Sequence, residues 1–194
     1  MRAPALRIRV DGDIELRLLS EQDAPALYYL VNTNRPFLRA WLPWIDFTQS
    51  VEDEAAFIRN VQIQHRDNNG FGCSIWYRGR VTGTIGYHTI DWSNRKVEIG
   101  YWIAPQFQGQ GIMTRSCKAL VDYAFDTLGL NKVEIRCATG NTRSCAIPQR
   151  LGFQQEGIIR QAEWLYDHYV DLVLYGLLVG EWRKQNAGAA AQLP

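Results

Sequence analysis

The chain has 194 residues, 46% of them hydrophobic and 21% charged, with a formal net charge of +1. That length suits one domain with a proper core, and the near-neutral balance gives no electrostatic case for binding nucleic acid or a membrane surface. No run approaches a membrane span, the start MRAPALRIRV lacks the apolar stretch of a signal peptide, and Cys73, Cys117, Cys137 and Cys145 form no CxxC pair.

With His65, His88 and His168 also far apart, the expectation is no metal site and no disulfide framework. The cysteines then read as small buried hydrophobes in a reducing, cytoplasmic setting.

In chain order, residues 14–19 read as a first strand. Ser20 and Asp23 are candidate caps for a helix with Ala24, Leu27, Tyr28 and Val31 as its apolar stripe. Residues 34–47 read as a loop bearing proline and tryptophan. Ser50 can cap a second helix over residues 51 to 68. Phe71–Tyr77 and residues 81–90 form a hairpin around Arg78-Gly79-Arg80. The run Lys96–Ile103 (KVEIGYWI) is a strand, rich in β-branched and aromatic residues. A helix then carries Met113, Cys117, Leu120, Val121, Ala124, Phe125 and Leu128 at helical spacing and stops at Gly129. Residues 133–138 (VEIRCA) are a further strand and residues 144–151 a short helix, in which Pro148 predicts a local distortion. Residues 155–178 read as two strands joined near Tyr166-Asp167-His168, and residues 185–194 as a frayed tail. Strand and helix alternate, which makes one mixed α/β domain over residues 1–184.

The most informative stretch is Gln106-Phe107-Gln108-Gly109-Gln110-Gly111, between the KVEIGYWI strand and the long helix. A strand passing through glycines into a helix leaves backbone N–H groups unpaired at the helix start, where the dipole adds positive potential. Such a turn can hold phosphate, although a GxG by itself is also an ordinary tight turn. A nucleotide P-loop needs Lys-Ser or Lys-Thr after the second glycine, and Ile112-Met113 follow instead. A dinucleotide fingerprint needs Gly or Ala at position 114, which is Thr114.

Gln106-x-x-Gly109-x-Gly111 resembles the pyrophosphate loop of the Gcn5-related N-acetyltransferases. Some thirty residues on, Asn141-x-x-Ser144 and then Gly152-Phe153 resemble the same superfamily. The stretches NRKVEIGYWI, QGQGIMT and QAEWLYDHYVDLVLY look closest to its RimJ/RimL branch, which acetylates the N-termini of ribosomal proteins. The resemblance implies a mixed central sheet in which two parallel strands, Lys96–Ile103 and residues 133–138, splay apart, with flanking helices. It implies acetyl-CoA as cosubstrate, held by Gln108, Gly109, Gln110, Gly111, Ile112 and Met113 at the pyrophosphate and by Asn141 at the pantetheine. An N–H near Ile103 would meet the developing oxyanion. With the composition and spacing above, the expectation is no metal and no direct contact with nucleic acid or membrane, and a homodimer is left open.

Many members of the superfamily place a proton-donating tyrosine seven residues after the asparagine; here Pro148 stands there, and Ser144 is the nearby side chain left to act on the thiolate. Glu163, 19 residues past Ser144, matches the RimL-like glutamate and is the candidate base. Without the resemblance it would read as an exposed strand carboxylate. Trp41 and Trp44 read either as walls of the acceptor site or as ordinary packing. Asp167 and His168 read as solvent-facing turn residues. The function implied is acetyl transfer to an amine, first to the α-amine of a ribosomal-protein N-terminus. The alternatives are a small-molecule amine, or an acyl-CoA-binding module without turnover.

Overall fold

The computed structural model describes residues 6–190. Its strands are β1 (Arg7–Arg9), β2 (Ile14–Leu18), β3 (Phe71–Tyr77), β4 (Arg80–Tyr87), β5 (Lys96–Ile103), β6 (Lys132–Ala138), β7 (Gln154–Leu165) and β8 (His168–Leu178). They form one sheet in the order β1-β2-β3-β4-β5-β6-β8-β7. Neighbours run antiparallel except β5 and β6, which are parallel. That parallel pair aligns only Lys96, Val97 and Glu98 with Lys132, Val133 and Glu134. Beyond them the two strands part, which is the splay the resemblance implied.

The helices are α1 (Ala24–Thr33), α2 (Arg35–Arg39), α3 (Val51–Arg66), α4 (Ile112–Asp122), α5 (Thr142–Arg150) and α6 (Val179–Ala190). Helix α3 starts at Ser50, whose Oγ accepts from the Asp53 N–H at 3.1 Å. Helix α4 buries Ile112, Met113, Cys117, Leu120 and Val121 against the main core, where Ile85, Val97, Ile99, Val133 and Ile135 come from β4, β5 and β6. A π-helical turn, Tyr123–Thr127, continues it, and Gly129 ends the element in the left-handed region at φ +64°.

Several expectations are corrected here. The loop at residues 34–47 contains α2 and a 3-10 turn, Ile45–Phe47. Strand β1 lies in a stretch that carries no alternation long enough to read. Helix α6 carries residues 185–190, which had read as frayed tail, while residues 191–194 lie outside the described residues. Pro148 sits inside α5 without interrupting it. All four cysteines are free and buried. Among the described residues no helix is long and apolar enough to cross a membrane, and no cluster of His, Cys, Asp and Glu could hold a metal ion.

Candidate active site

The divergence of β5 from β6 opens the site. Ala104 donates its N–H to Thr82 O at 2.9 Å, on the β4 side of β5. Strand groups alternate in direction, so Ile103 and Tyr101 aim their N–H groups the other way, across the gap toward β6. Those donors have no strand partner because the parallel ladder has already ended at Glu98.

A cleft of about 1220 Å³ runs from this gap to the glycine turn. Gly109 (φ +74°) and Gly111 (φ +70°) are both left-handed, and Gly111 is the N-cap of α4. The first helical bond there joins Arg115 N–H to Gly111 O at 3.0 Å. The N–H groups of Ile112, Met113 and Thr114 therefore precede the ladder and are open to an anion. A Cβ built at Gly109 would meet nothing within 4 Å, and one at Gly111 would stand in open space near only Arg115 Nε, at 3.8 Å. The glycines are thus required by backbone conformation and by the approach they leave clear. Gln108, Gly109, Gly111, Ile112, Met113, Ile103, Asn141, Ser144 and Trp41 line the cleft together. The Ile112 and Met113 side chains are buried, so their contribution there is main-chain. Gln110 is not part of the lining; its Nε2 donates to Gln106 O at 3.3 Å, holding the turn from outside.

Three arginines that the sequence reading did not single out, Arg115, Arg143 and Arg150, rim the same cleft. Arg143 donates to Gln108 Oε1 at 2.6 Å and Arg150 to Thr114 Oγ1 at 3.2 Å. Their spacing of seven on one face of α5 was the available signal. A glycine cradle, free N–H groups and guanidiniums fit a pyrophosphate, and the open strand edge fits an amide-bearing chain beside it.

Asn141 is the N-cap of α5. Its Oδ1 accepts from the Ser144 N–H at 3.1 Å, which leaves its amide nitrogen without a protein partner among the described residues. Ser144 Oγ stands 3.2 Å from Cys137 Sγ and 3.3 Å from the Tyr101 hydroxyl. Tyr101 in turn donates to Ser144 O at 3.1 Å. That carbonyl lies four residues before Pro148 and is the helical acceptor whose usual donor, a backbone N–H at position 148, proline does not have. A tyrosine from β5 thus satisfies the carbonyl that the proline leaves without a helical donor, and α5 runs on through Pro148 to Arg150. Burial pushes the Tyr101 phenol well above its ordinary pKa, so it remains a neutral donor.

A second cavity, of about 690 Å³, meets the first at Trp41, Tyr101, Trp102, Asn141 and Ser144. Glu163 and Trp44 line this second cavity and not the first. Glu163 follows a bulge in β7, where Arg160, Gln161 and Ala162 stand opposite the single residue Asp171. Asp171 Oδ1 accepts from the Gln161 N–H at 2.7 Å, and Gln161 takes φ +49°. The bulge re-aims the strand just before Glu163. Burial, and secondarily the Glu98 charge, raise the Glu163 pKa above the ordinary carboxylate value. Trp44 packs beside Trp102 with ring centroids 6.1 Å apart. Tyr166 ties its turn to the tryptophan segment by donating to Leu42 O at 2.5 Å, while Asp167 and His168 are exposed. Glu98 pairs with Arg136 at 3.2 Å.

The arrangement joins a mouth suited to an anion to a half-buried carboxylate through a shared lining that carries the hydroxyls of Tyr101 and Ser144. It suits transfer of a group from a long phosphorylated carrier to a nucleophile entering from the other side.

Comparison with known proteins agrees with this geometry. A family model described as acetyltransferase (GNAT) domain matches residues 13–154. The putative ribosomal N-acetyltransferase YdaF of Bacillus subtilis is 40% identical over 92% of this chain and 98% of its own. The ribosomal-protein-serine acetyltransferase of Escherichia coli is 31% identical over 89% of this chain and 96% of its own. The solved structure of RimL, a ribosomal L7/L12 alpha-N-protein acetyltransferase in complex with coenzyme A, superposes with a TM-score of 0.86 at 30% identity, covering 91% of this chain and 99% of that one.

Proposed function

This chain belongs to the GNAT acetyltransferase family and is an acetyl-CoA-dependent N-acetyltransferase, and we propose that its acceptor is the α-amine of a ribosomal-protein N-terminus. The reading is supported by the relative at 40% identity across nearly the full length of both chains, named a putative ribosomal N-acetyltransferase, together with the likeness to RimL, an alpha-N-protein acetyltransferase. The proposed catalytic domain takes in residues 1–184.

Acetyl-CoA supplies an activated acyl carbon on a thioester. In our reading the N–H groups at 112–114 and Arg143 and Arg150 hold its pyrophosphate, and the free Asn141 amide and the open edge of β5 hold its pantetheine. The Ile103 N–H faces the negative charge that develops on the carbonyl oxygen. Glu163 takes the proton from the attacking amine, directly or through one water. Its raised pKa suits that role, because a base works best near the operating pH. An α-amine has an ordinary pKa of about 7.7–8.0, so it needs only modest help of this kind. Ser144, whose hydroxyl lies within reach of the Tyr101 hydroxyl and Cys137 Sγ, gives a proton to the departing sulfur. Trp41 and Trp44 form part of the wall against which the acceptor lies.

The test is Glu163→Gln, which keeps shape and removes basicity. Acetyl-CoA binding should persist while transfer to N-terminal peptides falls by roughly 10²–10⁴, with partial recovery above the pKa of the amine. A small loss without that recovery would leave Glu163 a positioning role. Transfer by the unmodified protein to small amines but to no peptide would overturn the proposed acceptor.

A further inference from the structure

Helix α3 brings to the acceptor cavity a carboxylate that the proposed chemistry does not use. Glu54 is only 3% exposed, and among the described residues its side chain makes no hydrogen bond and no ion pair. It is nevertheless not sealed in the core. Ser116 Oγ is the one fully occluded side-chain nitrogen or oxygen among the described residues that lacks a partner, so the unpaired oxygens of Glu54 are not fully occluded. Glu54 lines the cavity of about 690 Å³ together with Glu163 and Ser144.

The charges around that cavity are unbalanced. Asp53, Glu54, Glu98 and Glu163 line it against one guanidinium, Arg136. Glu98 is spoken for by Arg136, at 3.2 Å. Asp53 is spoken for by the start of its own helix, accepting from Ser50 Oγ at 2.8 Å and the Gln49 N–H at 2.9 Å. Glu54 and Glu163 are left over. An ionised carboxylate only accepts hydrogen bonds, and burying one unpaired is costly. That cost falls when a cation sits against it, and burial alone has already pushed Glu54 up to about 7, so a modest electrostatic gain ionises it. Trp44 and Phe57 supply the apolar surface along which the stem of a long cationic group can lie.

We propose that Glu54 receives a second positive group of the acceptor, an ammonium or guanidinium distinct from the amine that is acetylated. The inference rests on the reading of this cavity as the acceptor site. Two sources share the chemistry: a lysine or arginine side chain near the N-terminus of a peptide, and the distal ammonium of a small polyamine.

The experiment uses the full chain and two matched pairs of acceptors. One pair is an N-terminal peptide with lysine, or with uncharged norleucine, at an early position; the other is a linear diamine and the monoamine of equal length. The unmodified protein should prefer the charged member of at least one pair, through KM rather than kcat, and that pair identifies the source. In Glu54→Gln the preference should shrink by about tenfold, the order expected for a hydrogen bond to a charged group. Glu54→Met serves as a second neutral replacement should the glutamine variant fold poorly. No preference in either pair, or a preference that survives both substitutions, overturns the proposal. So does preference for the uncharged member, which would make Glu54 a protonated donor to a carbonyl. Calorimetric binding of the charged acceptors to the coenzyme A complex separates this from the proposed function. Binding that Glu54→Gln weakens, with no transfer, keeps the docking site and sinks the acceptor assignment. Normal transfer with no discrimination does the reverse.

Discussion

Tyr101→Phe removes one oxygen and tests the link between β5 and α5. The Ser144 carbonyl then loses the hydroxyl at 3.1 Å, and Pro148 offers no N–H in its place. A part-buried acceptor left without its partner costs about 1–3 kcal/mol, which for a chain of this size lowers Tm by roughly 2–4 °C per kcal/mol. Pro148→Ala restores the missing N–H, so in that background the same tyrosine substitution should cost less, by about 1 kcal/mol of coupling. Urea unfolding of the four proteins gives the cycle directly. The kinetic counterpart is a fall in kcat for Tyr101→Phe with little change in the KM for acetyl-CoA, because the Ser144 Oγ loses its separate 3.3 Å contact with the same hydroxyl, and Pro148→Ala, which restores only a backbone donor, should leave that defect in place. Equal stability losses in the two backgrounds would refute the idea that tyrosine stands in for the absent backbone donor.

Gly111→Val forces a β-branched residue to φ +70° and fills the approach to the helix start, so acetyl-CoA should no longer raise the melting temperature, as measured by ligand-dependent thermal shift. Ser144→Ala should lower turnover in steady-state assays while leaving cofactor affinity nearly unchanged; a loss confined to affinity would make it a ligand contact. Glu54 gives a pH signature. Its folded pKa, about 7, lies above the ordinary 4.5, so the folded state holds the extra proton and stability is lost as pH rises through that window. Relative to Glu54→Gln the unmodified protein should lose roughly 1.4 kcal/mol per pH unit there, and parallel stability curves for the two would contradict the buried, unpaired carboxylate.

Much of the fold was legible because its signals are local. Strand β5 matches the run KVEIGYWI to the residue, since β-branched and aromatic residues fill it and the glycine turn bounds it. The stripe of Met113, Cys117, Leu120 and Val121 is buried as its spacing requires. Helix α2 was missed because five residues containing Pro36 are too short for a periodic signal, and β1 because three residues cannot alternate convincingly. The distortion expected at Pro148 was the right local argument, answered by a hydroxyl 47 positions earlier in the chain that no local rule could supply. Glu54 was invisible for the same reason: on α3 it reads as one more acidic residue in a first turn, and only the packing of α3 against α1 and β3 turns it toward a cavity.

The short parallel ladder has a mechanical consequence. Strands β1 to β5 form one continuous plate and β6, β8 and β7 another, and three aligned residue pairs zip them together. The zip is reinforced by a charge cluster at its root, where the nearly buried Glu134 meets Lys132 at 2.9 Å and Lys96 at 3.6 Å. Beyond the ladder the plates are joined through side chains, Tyr101 to Ser144 across the gap and, at the glycine turn, Arg143 to Gln108 and Arg150 to Thr114. The molecule is therefore built like a clothes-peg, with a stiff pivot and polar jaws. The same two arginines that close the jaws are the ones a pyrophosphate would engage, so cargo and clasp compete for one set of donors. A pyrophosphate that drew on these two arginines would take the place of the latch, and its departure would let Arg143 and Arg150 return to Gln108 and Thr114.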